Sequence, residues 1–184
     1  LGEIKNVVLS RSSLIRNLSG QYPPSKIGIW GDKIEKKDNI AMRLFGISRS
    51  NDNNFAQPIY EDYKRTNDTR FFPSAVKPEI KSGGETVKLN TKESSELEEL
   101  VGQQRKMLAA PYMNDMANFE GSSKNYSQLT DEEKLDKLKI IYDLGYQNGK
   151  ELFFGKHPEY KYEKSDEIKK EDKIISKWFE MPQD

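Results

Sequence analysis

Apolar positions in this chain recur at helical spacing in three stretches and at strand spacing in one. Leu97, Leu100, Val101, Leu108, Tyr112, Met116 and Phe119 recur every three or four residues, or at multiples of that step, as on one face of a helix. Leu135, Leu138, Ile141, Tyr142, Gly145, Tyr146, Gly149, Leu152 and Phe153 form a second such stripe. A third, Ile168, Ile174, Ile175, Trp178 and Phe179, predicts a last helix from about Asp166 to Glu180, closed by Pro182. Both long helices have start signals. Asn90 with Glu93, and Thr130 with Glu133, have the spacing of a capping box, in which each side chain accepts a backbone N–H of the other residue. Pro111 is expected to kink or split the first helix, and Gly155 and Pro158 to end the second. The loop between the two is short enough for antiparallel packing.

Before these helices the pattern is weaker. Ile80-Lys81-Ser82 and Glu85-Thr86-Val87 flank Gly83-Gly84, a two-residue turn between strand-like segments. With Ser82 opposite Glu85, Ile80 falls opposite Val87. Ile4 to Leu18 suggests one or two short helices stopped by Gly20. Tyr22-Pro23-Pro24 forces extended backbone, and Ile27 to Asp32 predicts a short extended piece ending in a turn at Gly31-Asp32. A short helix fits between Ile59 and Arg65. The fold class is therefore mainly α: an antiparallel two-helix hairpin plus a C-terminal helix, preceded by a largely irregular, extended N-terminal half with one short β-hairpin. The expected divisions are an arm over 1–79, the β-hairpin and helical hairpin over 80–155, and a solvated linker with the last helix over 156–184.

Composition sharpens this picture. Apolar residues are 34% of 184, with 12 Gly besides, below the roughly 45–50% of ordinary domains counted with glycine. Charged residues reach 33%, against about 25%. The core is expected to be thin for the length, with part of the chain folding against partners. Lys plus Arg and Asp plus Glu are 30 each, which disfavours a generally basic nucleic-acid binder. With no cysteine, disulfides, thiolate nucleophiles and Cys-ligated zinc are excluded. No apolar run reaches the length of a membrane span. The first residue is Leu1, as expected of a processed product or a piece of a longer chain.

No common catalytic or cofactor motif is present, and no catalytic, cofactor-binding or metal-binding residue is expected. His157, the one histidine, excludes a two-His metal site and reads as an exposed loop residue. Asp131, Glu132 and Glu133 are explained by the dipole at a helix start, and Glu96, Glu98 and Glu99 by a solvent face. The candidates for contact with partners are Trp30, Tyr112, Tyr142, Gly145, Gly149, Trp178 and Phe179. Gly145 and Gly149, one turn apart, form a smooth patch where another backbone can approach closely. Trp30 reads either as a local core residue or as an anchor in a neighbouring subunit. Arg11, Arg16, Arg43 and Arg49, with Lys64, Arg65 and Arg70, lie among Tyr22, Phe45, Tyr60, Tyr63, Phe71 and Phe72, an interleaving that can grip single strands. Contact with nucleic acid is the alternative reading.

The order of these elements carries a resemblance. Pro23-Pro24, Trp30-Gly31-Asp32 and the Gly-Gly hairpin come first. Val87-Lys88-Leu89-Asn90 then leads into Leu97, Leu100, Val101 and Gly102. Tyr126-Ser127-Gln128-Leu129-Thr130-Asp131-Glu132-Glu133-Lys134 leads into Leu138, Ile141 and Tyr142. Over residues 10–155 this resembles the C-terminal region of large polyvalent phage proteins, the internal virion or ejection proteins of tailed phages. Asn90 stands where that pattern has Thr, and Gly102 matches its Gly. The resemblance implies a structural or docking segment held inside the capsid or tail near the portal. It would bind other virion proteins and copies of itself and be released with the genome. It transfers no catalytic residue.

Overall fold

The computed structural model describes residues 27–32, 55–114 and 123–162. Helix α1 spans Gln57–Thr66, slightly longer than the sequence suggests. Pro58 sits in its first turn, where the missing N–H costs no helical bond. Asn67, at φ +57°, ends it in the left-handed conformation. A 3-10 turn, Thr69–Phe71, follows. Strands β1 (Glu79–Ser82) and β2 (Glu85–Lys88) pair antiparallel, Ser82 with Glu85 and Ile80 with Val87. Both turn residues have positive φ, +57° at Gly83 and +85° at Gly84, as the favoured hairpin turn requires. Only Ile80 of the facing pair is deeply buried; Val87 is half-buried.

Helices α2 (Thr91–Met113) and α3 (Asp131–Lys156) follow, and both capping boxes form. At α2 the Glu93 N–H donates to Asn90 Oδ1 at 3.0 Å, and the Asn90 N–H to Glu93 Oε2 at 2.9 Å. At α3 the Thr130 N–H donates to Glu133 Oε2 at 2.7 Å. A 3-10 turn, Tyr126–Gln128, leads into Thr130.

Several expectations are corrected in detail. Pro111 does not split α2: it lies in the last turn, and the helix runs two residues past it. The proline lacks the N–H that would bond to the carbonyl four residues back, and the helix continues past that lost bond to Met113. Gly155 does not end α3 but lies inside its last turn. The stop is His157, at φ −122° and ψ 72°, because Pro158 disfavours helix in the residue before it. Leu152 points outward at 45% exposure, while Leu144 and Phe154 are buried. Glu98 is buried rather than solvent-facing. Residues 157–162 do not stand off as a solvated linker. Lys161 N–H donates to Ser82 Oγ of the hairpin at 2.8 Å, and Tyr160 and Tyr162 pack on the core. Ile4–Leu18, the expected last helix, Met116 and Phe119 lie outside the described residues.

Glycine sets the distance between the helices. A Cβ on Gly145 would lie 2.5 Å from Arg105 Cγ, and one on Gly149 would lie 2.5 Å from Val101 Cα. As α3 advances from Gly145 to Gly149, its contact on α2 retreats from Arg105 to Val101, so the helices run antiparallel. Two hydrophobic clusters lie along the pair. One joins Trp30, Phe55, Ile59 and Phe71 to Tyr112, Tyr126, Leu138 and Tyr142 at the end where α2 stops and α3 starts. The other joins Val76, Ile80 and Leu89 to Leu97, Val101, Phe153 and Phe154 at the opposite end. Residues 55–89 therefore contribute to both.

Candidate functional site

The aromatic candidates for partner contact that fall on described residues turn inward. Trp30 is 2% exposed. It meets Phe55 edge-on at 4.9 Å and lies 5.9 Å from Tyr142, so its ring occupies this chain's own core. Tyr112 is buried. Tyr142 is buried too, and its hydroxyl donates to the Phe71 carbonyl at 2.8 Å; burial pushes its pKa up. The close neighbour of Gly145 and Gly149 is α2 of the same chain. Trp178, Phe179, Arg11, Arg16, Arg43 and Arg49 lie outside the described residues.

The turn at residues 28–32 has a role the sequence did not disclose. Gly31 N–H donates to the Gly28 carbonyl at 3.0 Å, and Gly28 N–H to the Asp32 carbonyl at 2.8 Å. Gly31 has φ +80° and lies directly on α2: a Cβ on Gly102 would fall 2.0 Å from Gly31 N. Lys106, one turn beyond Gly102, binds Asp32 at 3.2 Å. Backbone therefore meets backbone at Gly31 and Gly102, and this contact seats Trp30 in the core.

A buried carboxylate network closes the first end of the helical pair. Asp62 of α1 is 7% exposed. It accepts from the Tyr126 hydroxyl at 2.9 Å, from Lys134 Nζ at 2.9 Å and from Arg65 at 2.8 Å. Burial alone would raise its pKa, but these donors outweigh that and hold it below the usual value. Arg65 also binds Asp131 through both terminal nitrogens, and Arg70 binds Asp68 and Glu132. The acids of the α3 start thus both complement the helix dipole and receive cations from α1 and its following turn. Arg65 and Arg70, candidates for nucleic-acid contact by composition, are committed to carboxylates.

Arg105, 4% exposed, donates from Nε to the Tyr142 carbonyl at 3.3 Å. Burial lowers its pKa to about 10, so the guanidinium remains charged at neutral pH. Its stem fills the space that Gly145 leaves open.

At the other end, the sequence missed a cluster around His157. The ring stacks on Phe153, with centroids 4.3 Å apart. Nε2 lies 3.1 Å from Glu96 Oε2, and Nδ1 lies 3.0 Å from Glu159 Oε1. Glu96 also binds Lys156 at 3.1 Å, and Glu93 accepts from the Tyr160 hydroxyl at 3.1 Å. Glu159 and then Glu96 raise the imidazole pKa, while His157 and then Lys156 lower that of Glu96. The cluster joins the start of α2 to the end of α3. Its one signal in the sequence was a charge run, which cannot show which acids meet the histidine.

No family model, curated protein or solved structure matches the chain. Among the described residues, no helix is long and apolar enough to cross a membrane.

Proposed function

We propose that this chain is a structural, non-catalytic segment of a tailed-phage internal virion protein. It packs against other virion subunits in the portal or tail region and against copies of itself, and leaves the particle with the genome. The order of motifs carries the reading, and one contact supports it: Gly31 of the Trp-Gly-Asp element rests on Gly102, the glycine shared with the resembled pattern. Motifs 71 residues apart in sequence, from Gly31 to Gly102, thus depend on each other for packing. Other motif residues among the described ones have the same kind of work. Asn90 and Thr130 cap α2 and α3, and Tyr126 and Lys134 hold Asp62.

Mass spectrometry of gradient-purified particles from the phage that encodes the chain tests this. Peptides of the chain are expected in full particles and depleted in particles that have ejected their DNA. Their absence from full particles, with abundance in the infected-cell lysate, would overturn the reading.

A further inference from the structure

We propose that Glu93, His157 and Glu159 form a binding site for a zinc-like divalent ion that staples residues 157–160 to the start of α2. One ligand atom from each of the three lies within 4.8 Å of the others. In a tetrahedral zinc site with bonds of about 2.1 Å, neighbouring ligand atoms stand about 3.4 Å apart. His157 Nδ1 and Glu159 Oε1, at 3.0 Å, are already near that spacing. Glu93 would close the remaining distance through Oε1, giving up the Tyr160 hydroxyl, while Oε2 keeps the Asn90 N–H of the cap. One imidazole and two carboxylates, with water in the fourth position, suit zinc better than magnesium, which favours oxygen ligands and retains its water.

The surroundings of His157 distinguish this cluster from a chance group of surface acids. A metal-binding histidine characteristically donates its other ring N–H to a carboxylate, which fixes the tautomer and the ring plane. Here Glu96 stands at Nε2 at 3.1 Å while Glu159 stands at Nδ1, and the Phe153 ring supports the face of the imidazole. With the Nε2 proton given to Glu96, the Nδ1 lone pair faces a carboxylate oxygen. Two acceptors at that distance need a proton or a metal ion between them, and a metal ion supplies the positive centre without protonating the ring. Metal binding releases any proton held at Nδ1 to solvent and leaves the Nε2–Glu96 bond intact. Ligands from the first turn of α2 and from beyond the end of α3 would close the fold at the end opposite Asp62.

Tag-free protein makes the test clean, because His157 is the one histidine in the chain and gives a single set of imidazole NMR signals. Titration with zinc chloride at pH 7.5 is expected to shift those signals at one equivalent, whereas magnesium chloride leaves them in place. Calorimetry should give one zinc per chain. Glu96→Gln should weaken binding about 10–100-fold, and His157→Gln by more. Glu159→Gln, at an exposed position, keeps the fold under test if His157→Gln does not fold; it should retain the melting temperature in chelator and lose most of the zinc affinity. Affinity no tighter than about 1 mM, unmoved imidazole signals, or equal zinc binding by Glu159→Gln would overturn the site and leave a proton-bridged ion pair only.

Discussion

Where α2 ends and α3 begins, the structure holds a carboxylate away from water; where α2 begins and α3 ends, it leaves the carboxylates around His157 partly in water. Asp62 is closed in by Tyr126, Lys134 and Arg65, with Lys134 itself 7% exposed. The Asp62 and Lys134 charges are buried and paired, while Arg65 is half exposed, so neither of the buried partners can be lost cheaply. Glu96, Glu159 and His157 retain side-chain exposures of 28%, 57% and 18%. Water can replace any one of those bonds, so each is worth little alone. Each end joins the helical pair to a neighbouring segment, α1 at the first and the 157–162 tail at the second. The first end is therefore expected to be a permanent joint and the second an adjustable one.

The sharpest way to break this contrast is to remove one acid from each end. Asp62→Ala leaves Lys134 charged and buried, and the Tyr126 hydroxyl unpaired. We expect a loss of about 3–5 kcal/mol by urea denaturation at neutral pH. Glu96→Gln at the other end should cost less than about 1 kcal/mol. Equal losses would remove the distinction between the two ends.

The contact between the helices gives an intermediate effect. In Gly149→Ala the new Cβ would lie 2.5 Å from Val101 Cα and 2.6 Å from its N. Backbone rather than a flexible side chain must give way there. Overpacking of this kind costs about 1–3 kcal/mol, more than the roughly 1 kcal/mol that alanine gains over glycine in a helix. Gly155→Ala, in the same helix with open space around it, should show only the gain and raise stability by about 0.5–1 kcal/mol. Thermal melts of the two variants should therefore move in opposite directions.

The same distinction explains what could be read from sequence. Caps and turns are local: Asn90 with Glu93, Thr130 with Glu133, and Gly83-Gly84 each lie within a few residues, and the chemistry at that range determines the geometry. The stripes on α2 and α3 were legible because burial imposes helical periodicity. Gly145 and Gly149 disclosed that a backbone comes close, but not that it belongs to the same chain. What remained hidden joins residues far apart in sequence. Asp62 meets Lys134 across 72 positions, and His157 meets Glu96 across 61. An acid that will be buried has the same local appearance as one that will be solvated. Composition likewise suggested free arginines at Arg65 and Arg70, because it cannot show that Asp131 and Glu132 come to meet them.

The smallest expected effect is the most specific to the second end, and it concerns pH. His157 faces Glu96 from α2 and Glu159 from the tail, with Lys156 beside it on α3 and Glu93 reached through Tyr160. Its pKa is raised in the folded state, so the stability it contributes is full below the unfolded value of about 6.5. That contribution is lost as pH rises through the folded value. Glu96 is shifted the other way; its contribution is present above the unfolded value of about 4.3 and is lost as pH falls through the folded one. In chelator, the cluster should therefore stabilise the fold most between about pH 4.3 and 6.5. His157→Gln should remove a gain of less than about 1 kcal/mol in that window and leave stability at pH 8 nearly unchanged. Asp62 titrates in acid as well, but the difference between wild type and His157→Gln cancels it, because the substitution lies at the opposite end of the helices. A variant that loses equal stability at pH 5.5 and pH 8 would show that His157 holds this end by stacking on Phe153 alone, and the two ends would then differ in burial but not in their response to protons.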